Sequence, residues 1–300
     1  MRSNYPQFGR KVHCQYVLER HRGKRLALVD IQPPVRVIRF FSVEAERMIE
    51  QEQKLETDEG TMGVFIARPD GDGPFPAVIQ IMDALGMREE LREHARRVAS
   101  WGYYVLSPDL FYRFGLKAPL STDENGMKTI TGAVKALTDQ RAVSDVKAVL
   151  ELAQRDNAAS LKKIGIYGYC MGGRLALILA EALGPHVAAS ASVHPGWVKD
   201  QPKPHLALDH VQAELYFGIA DNDQMATRED MAALERGLVA RCIRYQLEWH
   251  PEAYHGFMMP SRSDVYDAAT SDIVWHRIQT LFARTLEAAS RNMLKSPDNA

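Results

Sequence analysis

The chain has 300 residues, 46% of them hydrophobic and 25% charged, which is enough to bury one large core or two small ones and excludes a disordered or fibrous protein. Its 37 Lys and Arg against 38 Asp and Glu leave a formal charge of −1, so no global electrostatic case exists for a nucleic-acid or anionic-membrane partner. No apolar run approaches the roughly 20 residues of a membrane span. The first residues show no apolar stretch of signal-peptide type, and three widely spaced cysteines (Cys14, Cys170, Cys242) suit a reducing cytoplasm better than a disulfide framework.

Residues 1–47 are rich in Arg, Lys and His, with one apolar patch at Val35–Phe41, and read as a basic N-terminal extension, poorly ordered, with Met48 as a candidate natural start. Regular patterning follows over 48–290, and 291–300 reads as a tail. Met62–Ala67 is a strand stopped by Arg68-Pro69-Asp70-Gly71, and Ala77–Met82 is a near-continuous apolar run of the kind covered on both faces. Leu91, Ala95, Val98 and Trp101 recur at helical spacing over 89–101, and Tyr103–Ser107 is the next strand. The stretch 110–132 lacks periodicity and reads as a long loop with short helical turns. A helix over about 139–155 precedes a strand and tight turn at 163–172 and a helix to about 183. Strands at 187–193 and 213–218, a helix around 228–240, a strand at 245–249 and a last helix over about 265–288 complete the pattern. This alternation predicts one α/β domain, a mainly parallel doubly wound sheet with helices on both faces.

Within it, Gly168-Tyr169-Cys170-Met171-Gly172 has the G-x-nucleophile-x-G layout that mounts a reactive side chain on a strained strand-to-helix turn. The helix that follows aims its positive end at the sulfur and favours thiolate. In a doubly wound sheet functional groups gather at the carboxyl ends of strands. Those ends offer Asp83, Arg113, Cys170, His194, Asp221 or Asp223, and His255. The order nucleophile, acid, histidine is that of the α/β-hydrolase arrangement. It favours His255 over His194, His205, His210 and His250, and Asp221 over Asp223 as the first acid after its strand. The thiol needs a histidine to take its proton, the histidine needs a carboxylate to fix its tautomer, and N–H groups of Met171 and Ala84 are the expected oxyanion donors. Cys14 and Cys242 lack a glycine turn and read as packing or surface residues. There is no dinucleotide fingerprint and no clustered set of metal ligands, so neither cofactor nor metal is expected.

With these residues in place the chain resembles the dienelactone hydrolase family of α/β hydrolases, from about Met48 to Leu286. The resemblance is carried by Gly168-Tyr169-Cys170-Met171-Gly172-Gly173, by His255-Gly256-Phe257, by Gly218-Ile219-Ala220-Asp221 and by Pro108–Arg113. It implies a Cys170–His255–Asp221 hydrolase of an ester or lactone, acting on a small molecule as a monomer or homodimer. It also implies a substrate carboxylate held by Arg113. The family's thiol-holding glutamate is matched here by Asp83, one methylene shorter, which is expected either to contact the thiol or to shape the oxyanion turn. The family's second substrate-binding arginine is replaced by Met259, with Arg262 nearby in sequence. A general carboxylesterase or thioesterase with an apolar pocket is the alternative reading, and a non-catalytic hydrolase-like binding protein a third.

Overall fold

The computed structural model describes residues 47–197 and 208–286; the N-terminal basic extension, Cys14, His205 and the C-terminal tail lie outside the described residues. Eight strands form one sheet: β1 (Met48–Thr57), β2 (Gly60–Pro69), β3 (Phe75–Ile81), β4 (Tyr104–Pro108), β5 (Ala159–Tyr169), β6 (Val187–Val193), β7 (Glu214–Asn222) and β8 (Tyr245–Tyr254). Their order across the sheet is β1-β2-β4-β3-β5-β6-β7-β8, with β2 antiparallel to both its neighbours, β1 and β4, and the other pairs parallel. β3 is buried along its whole length, as a central parallel strand covered on both faces must be.

Among the described residues, α-helices flank the sheet at α1 (Glu89–Ala99), α2 (Glu124–Ala136), α3 (Asp139–Ala153), α4 (Met171–Leu183), α5 (Arg228–Ala240) and α6 (Ala268–Thr285). In α1, Leu91, His94, Ala95 and Val98 form the buried stripe, with Glu89 and Glu90 in the first turn and Arg96 and Arg97 in the last, matching the helix dipole. The unit β3-α1-β4 steps one way across the sheet and β5-α4-β6 the other. With right-handed crossovers this reversal sends α1 and α4 to opposite faces and leaves a crevice where β3 lies beside β5. Ile81 pairs with Gly168 there, so the segments leaving both strands start side by side.

Two elements differ from the sequence expectation. β1 is an edge strand whose residues alternate half-buried and exposed, its Glu and Gln side chains masking the strand pattern. The expected loop at 110–132 contains most of α2. This helix starts at an Asp123 cap, whose side chain accepts the Gly126 N–H at 2.8 Å, and its buried residues are only Ile130, Ala133 and Val134.

Candidate active site

At the end of β5 the chain turns sharply into α4, and Cys170 takes φ 54° and ψ −119°, a region that a side-chain-bearing residue enters only under strain. Surrounding glycines make this possible. A Cβ on Gly168 would run into the Gly172 carbonyl, and one on Gly172 into the carbonyls of Ile81 and Met82. The thiol sits at the N-terminal end of α4, partly exposed to a cavity of 710 Å³.

His255 follows β8 on a loop beside this thiol. Its Nδ1 lies 2.7 Å from Asp223 Oδ2, and the Asp223 side chain is fully buried. Its Nε2 is buried next to Cys170 without an aligned hydrogen bond, a geometry common before substrate tightens a site. Burial disfavours the imidazolium, but the Cys170 sulfur and the Asp223 carboxylate outweigh it and hold the ring's pKa up at about 10.

The carboxylate facing His255 is therefore Asp223, which corrects the expectation of Asp221. β7 continues through Ala220, Asp221 and Asn222, so the first acid beyond the strand is Asp223. Asp221 lies on the strand itself and pairs outward with Arg228. Asp223 Oδ1 also accepts the Met225 N–H at 2.8 Å, which fixes the loop carrying it.

Asp83 lines the cavity, yet both its oxygens are taken. Arg88 donates to Oδ1 at 2.7 Å and to Oδ2 at 2.9 Å, and the Leu85 N–H donates to Oδ1 at 2.9 Å. Of the two roles expected for Asp83, this geometry is the turn-shaping one; thiol contact is not made. Leu85 N–H is spent on Asp83 and Gly86 N–H on the Asp83 carbonyl, which leaves Ala84 N–H as the turn's available donor. Ala84 and Met171 both line the cavity with Cys170. Arg88 also binds Glu90, whose carboxylate accepts the Ser261 N–H at 2.7 Å and hydroxyl at 2.9 Å. The turn after β3 is thus braced to the loop that carries His255.

Arg113 is not at the cavity. It donates to Asp145 at 2.7 and 2.8 Å and to Glu59 at 2.9 Å, and its side chain is 4% exposed. It ties the segment after β4 to α3 and to the β1–β2 turn, a correction to the expected substrate contact. Arg113→Ala is expected to change the KM ratio between carboxylated and neutral esters by no more than about twofold, measured by steady-state kinetics.

Among the rival histidines, His194 reaches the cavity. It is buried at φ 34°, stacks on Tyr169 with centroids 5.9 Å apart, and meets the His255 ring edge-to-face at 5.1 Å. Burial and the His255 charge push its pKa well down, so it stays neutral beside a cationic neighbour. His250 packs on Phe257, and His210 pairs with Glu181 at the surface. Sequence reasoning did not find Arg88 and Glu90, whose role depends on partners far along the chain, nor Met127 and Met225, which no catalytic pattern marks. Among the described residues no three His, Cys, Asp or Glu side chains converge as a metal site, and no helix is long and apolar enough to cross a membrane.

A sheet of this order, with a strained cysteine elbow after β5, an acid after β7 and a histidine after β8, defines an α/β hydrolase. The sequence pattern of the Dienelactone hydrolase family matches residues 62–286, and the chain belongs to that family, as a hydrolase of esters or lactones. It is 28% identical over 258 residues to a provisionally named carboxymethylenebutenolidase of Methylorubrum extorquens, covering 83% of this chain and 86% of that one. To the carboxymethylenebutenolidase of Pseudomonas putida it is 27% identical over 219 residues, covering 71% and 88%. Among solved structures, a provisionally assigned dienelactone hydrolase from Klebsiella pneumoniae superposes with a TM-score of 0.72 at 23% identity, covering 79% of this chain and 99% of the other. A dienelactone hydrolase-like promiscuous phosphotriesterase from metagenomic libraries gives 0.67 at 22%, covering 79% and 98%.

Proposed function

We propose that the chain hydrolyses its ester or lactone through a thioester on Cys170, with His255 moving the proton and Asp223 orienting it. The observation that carries this is the buried His255, tied to Asp223 through Nδ1 and lining the same cavity as the strained Cys170 elbow. The thiolate attacks the carbonyl carbon, and the oxygen's negative charge is received by the Ala84 and Met171 N–H groups, each such donor lowering a barrier by about 3 kcal/mol. Collapse breaks the C–O bond, and the leaving oxygen takes the proton from His255.

The second half follows from the same electrostatics. Acylation removes the negative sulfur, the largest of the supports that raise the His255 pKa. The ring then becomes a neutral base. It draws a proton from water, hydroxide attacks the thioester, and the carboxylic acid leaves as the thiolate–imidazolium pair re-forms. One residue serves as acid and then as base because its neighbour's charge disappears between the steps.

The test is rapid mixing with p-nitrophenyl acetate. A stoichiometric burst of nitrophenolate and an acetyl group on the peptide carrying Cys170 are expected, both absent in Cys170→Ala. Turnover without any acyl adduct on Cys170 would overturn the reading.

A further inference from the structure

One face of α2 walls the cavity above Cys170. Met127, Ile130, Thr131 and Val134 follow one another at helical spacing along that face. Ile130 and Val134 are buried, but Met127 is 46% exposed, and Met225, also lining the cavity, is 41% exposed. Large apolar side chains left uncovered together at a cavity mark a surface that binds something apolar. The wall is fixed beside the reacting centre, since the Leu120 N–H donates to the Leu85 carbonyl at 2.9 Å just before α2 begins.

Two buried arginines argue the same way. The arginines that could clamp a substrate carboxylate already have partners. Arg88 holds Asp83 and Glu90, Arg113 holds Asp145 and Glu59, and Arg262 donates to the His255 carbonyl at 3.3 Å with Asp264 at 3.8 Å. Met259, the residue four after the histidine, spends its sulfur on Arg88 at 3.5 Å. An anionic substrate drawing on Arg88 or Arg113 would have to break existing pairs and repay that loss, while Arg262 and Lys135, which also line the cavity, share it with a mainly apolar wall.

We infer that the substrate is a neutral ester with an apolar acyl chain of medium length, laid along α2 between Met127 and Met225. This rests on the Cys170 hydrolase reading. His255 protonates the leaving oxygen, so the alcohol part lies on the His255 side and the acyl part runs away from it, toward α2. The volume of 710 Å³ falls within the span of roughly 300–1,000 Å³ that encloses ligands of this size. Unbranched methionines at the mouth let the wall adapt to chains of different length.

The test is a series of p-nitrophenyl acetate, butyrate, hexanoate and octanoate, with a hemi-ester of a dicarboxylic acid matched in length to the hexanoate. kcat/KM is expected to rise about two- to fourfold per methylene, the value of transferring a CH₂ from water, and the hemi-ester to react at least about tenfold more slowly than its neutral match. Met127→Glu is expected to lower the octanoate-to-acetate ratio about tenfold. That ratio does not depend on how much of the variant is folded. A flat series, an unchanged ratio in Met127→Glu, or preference for the hemi-ester would overturn the inference while acylation of Cys170 by acetate stands. Failure of every ester to acylate Cys170 would instead bring down the hydrolase reading and this inference with it.

Discussion

Asp223→Asn lowers kcat by about 10³- to 10⁴-fold, while Asp221→Asn changes it by no more than about threefold. The asymmetry follows from two carboxylates one residue apart with different partners. Asp223 is buried against His255 Nδ1, whereas Asp221 faces outward to Arg228. An asparagine at 223 still fits, but its amide can present a donor to Nδ1 and select the tautomer with the proton on the wrong nitrogen. Asp223 is also one of the supports that raise the His255 pKa to about 10. A raised histidine keeps its proton below that value and loses it above, so the native enzyme should hold its general acid up to about pH 10. Removing the Asp223 charge lowers the histidine's pKa, and the alkaline limb of kcat/KM moves to lower pH. Paired pH–rate profiles of the native enzyme and both variants check this. Equal losses in Asp221→Asn and Asp223→Asn would show that the carboxylate assignment fails.

Asp83→Ala is expected to cost about 1–3 kcal/mol of folding stability, because the buried Arg88 guanidinium loses its bidentate partner and keeps Glu90 alone. Urea unfolding followed by fluorescence measures the loss. The same change releases the Leu85 N–H and loosens the turn that offers the Ala84 N–H, so kcat falls as well. Asp83→Leu combined with Arg88→Met removes the pair but leaves Glu90 with Ser261 as its partner, so only part of the stability should return. Activity should recover less, because leucine cannot hold the turn. A different pattern follows if Asp83 instead acts on the thiol. Asp83→Asn would then slow iodoacetamide labelling of Cys170 while the unfolding midpoint stays in place.

The sheet and the elbow were legible because each has a local signature. Alternating strand and helix patterns reported β2 through β8, and glycines on both sides of Cys170 reported a turn that only glycine can close. His255 was legible from chain order. The acid was misassigned by two residues because the end of β7 was placed at Gly218. The strand runs through buried Ile219 and Ala220 to Asn222, and its exposed Asp221-Asn222 end has the composition of a turn. α2 was obscured by Gly126, Gly132 and its threonines, which fit a helix whose apolar strip meets a cavity more than a core. Arg113 and Asp83 illustrate a harder limit. A charged residue's role depends on which opposite charge reaches it first, and Asp145 and Arg88 are settled by tertiary placement rather than by any local pattern.

Cys170, Asp223 and His255 leave the sheet at the ends of three different strands, and β6, β7 and β8 all lie between the cysteine and the histidine in the chain. The elbow depends on β3, β5 and α4, which meet early in the sequence, but the histidine depends on β8 at the far edge of the sheet. A chain growing from its N-terminus makes β3, β5 and α4 before β8 exists. A growing chain therefore carries its cysteine without its histidine until the last strand docks, and the pair exists only with the finished sheet.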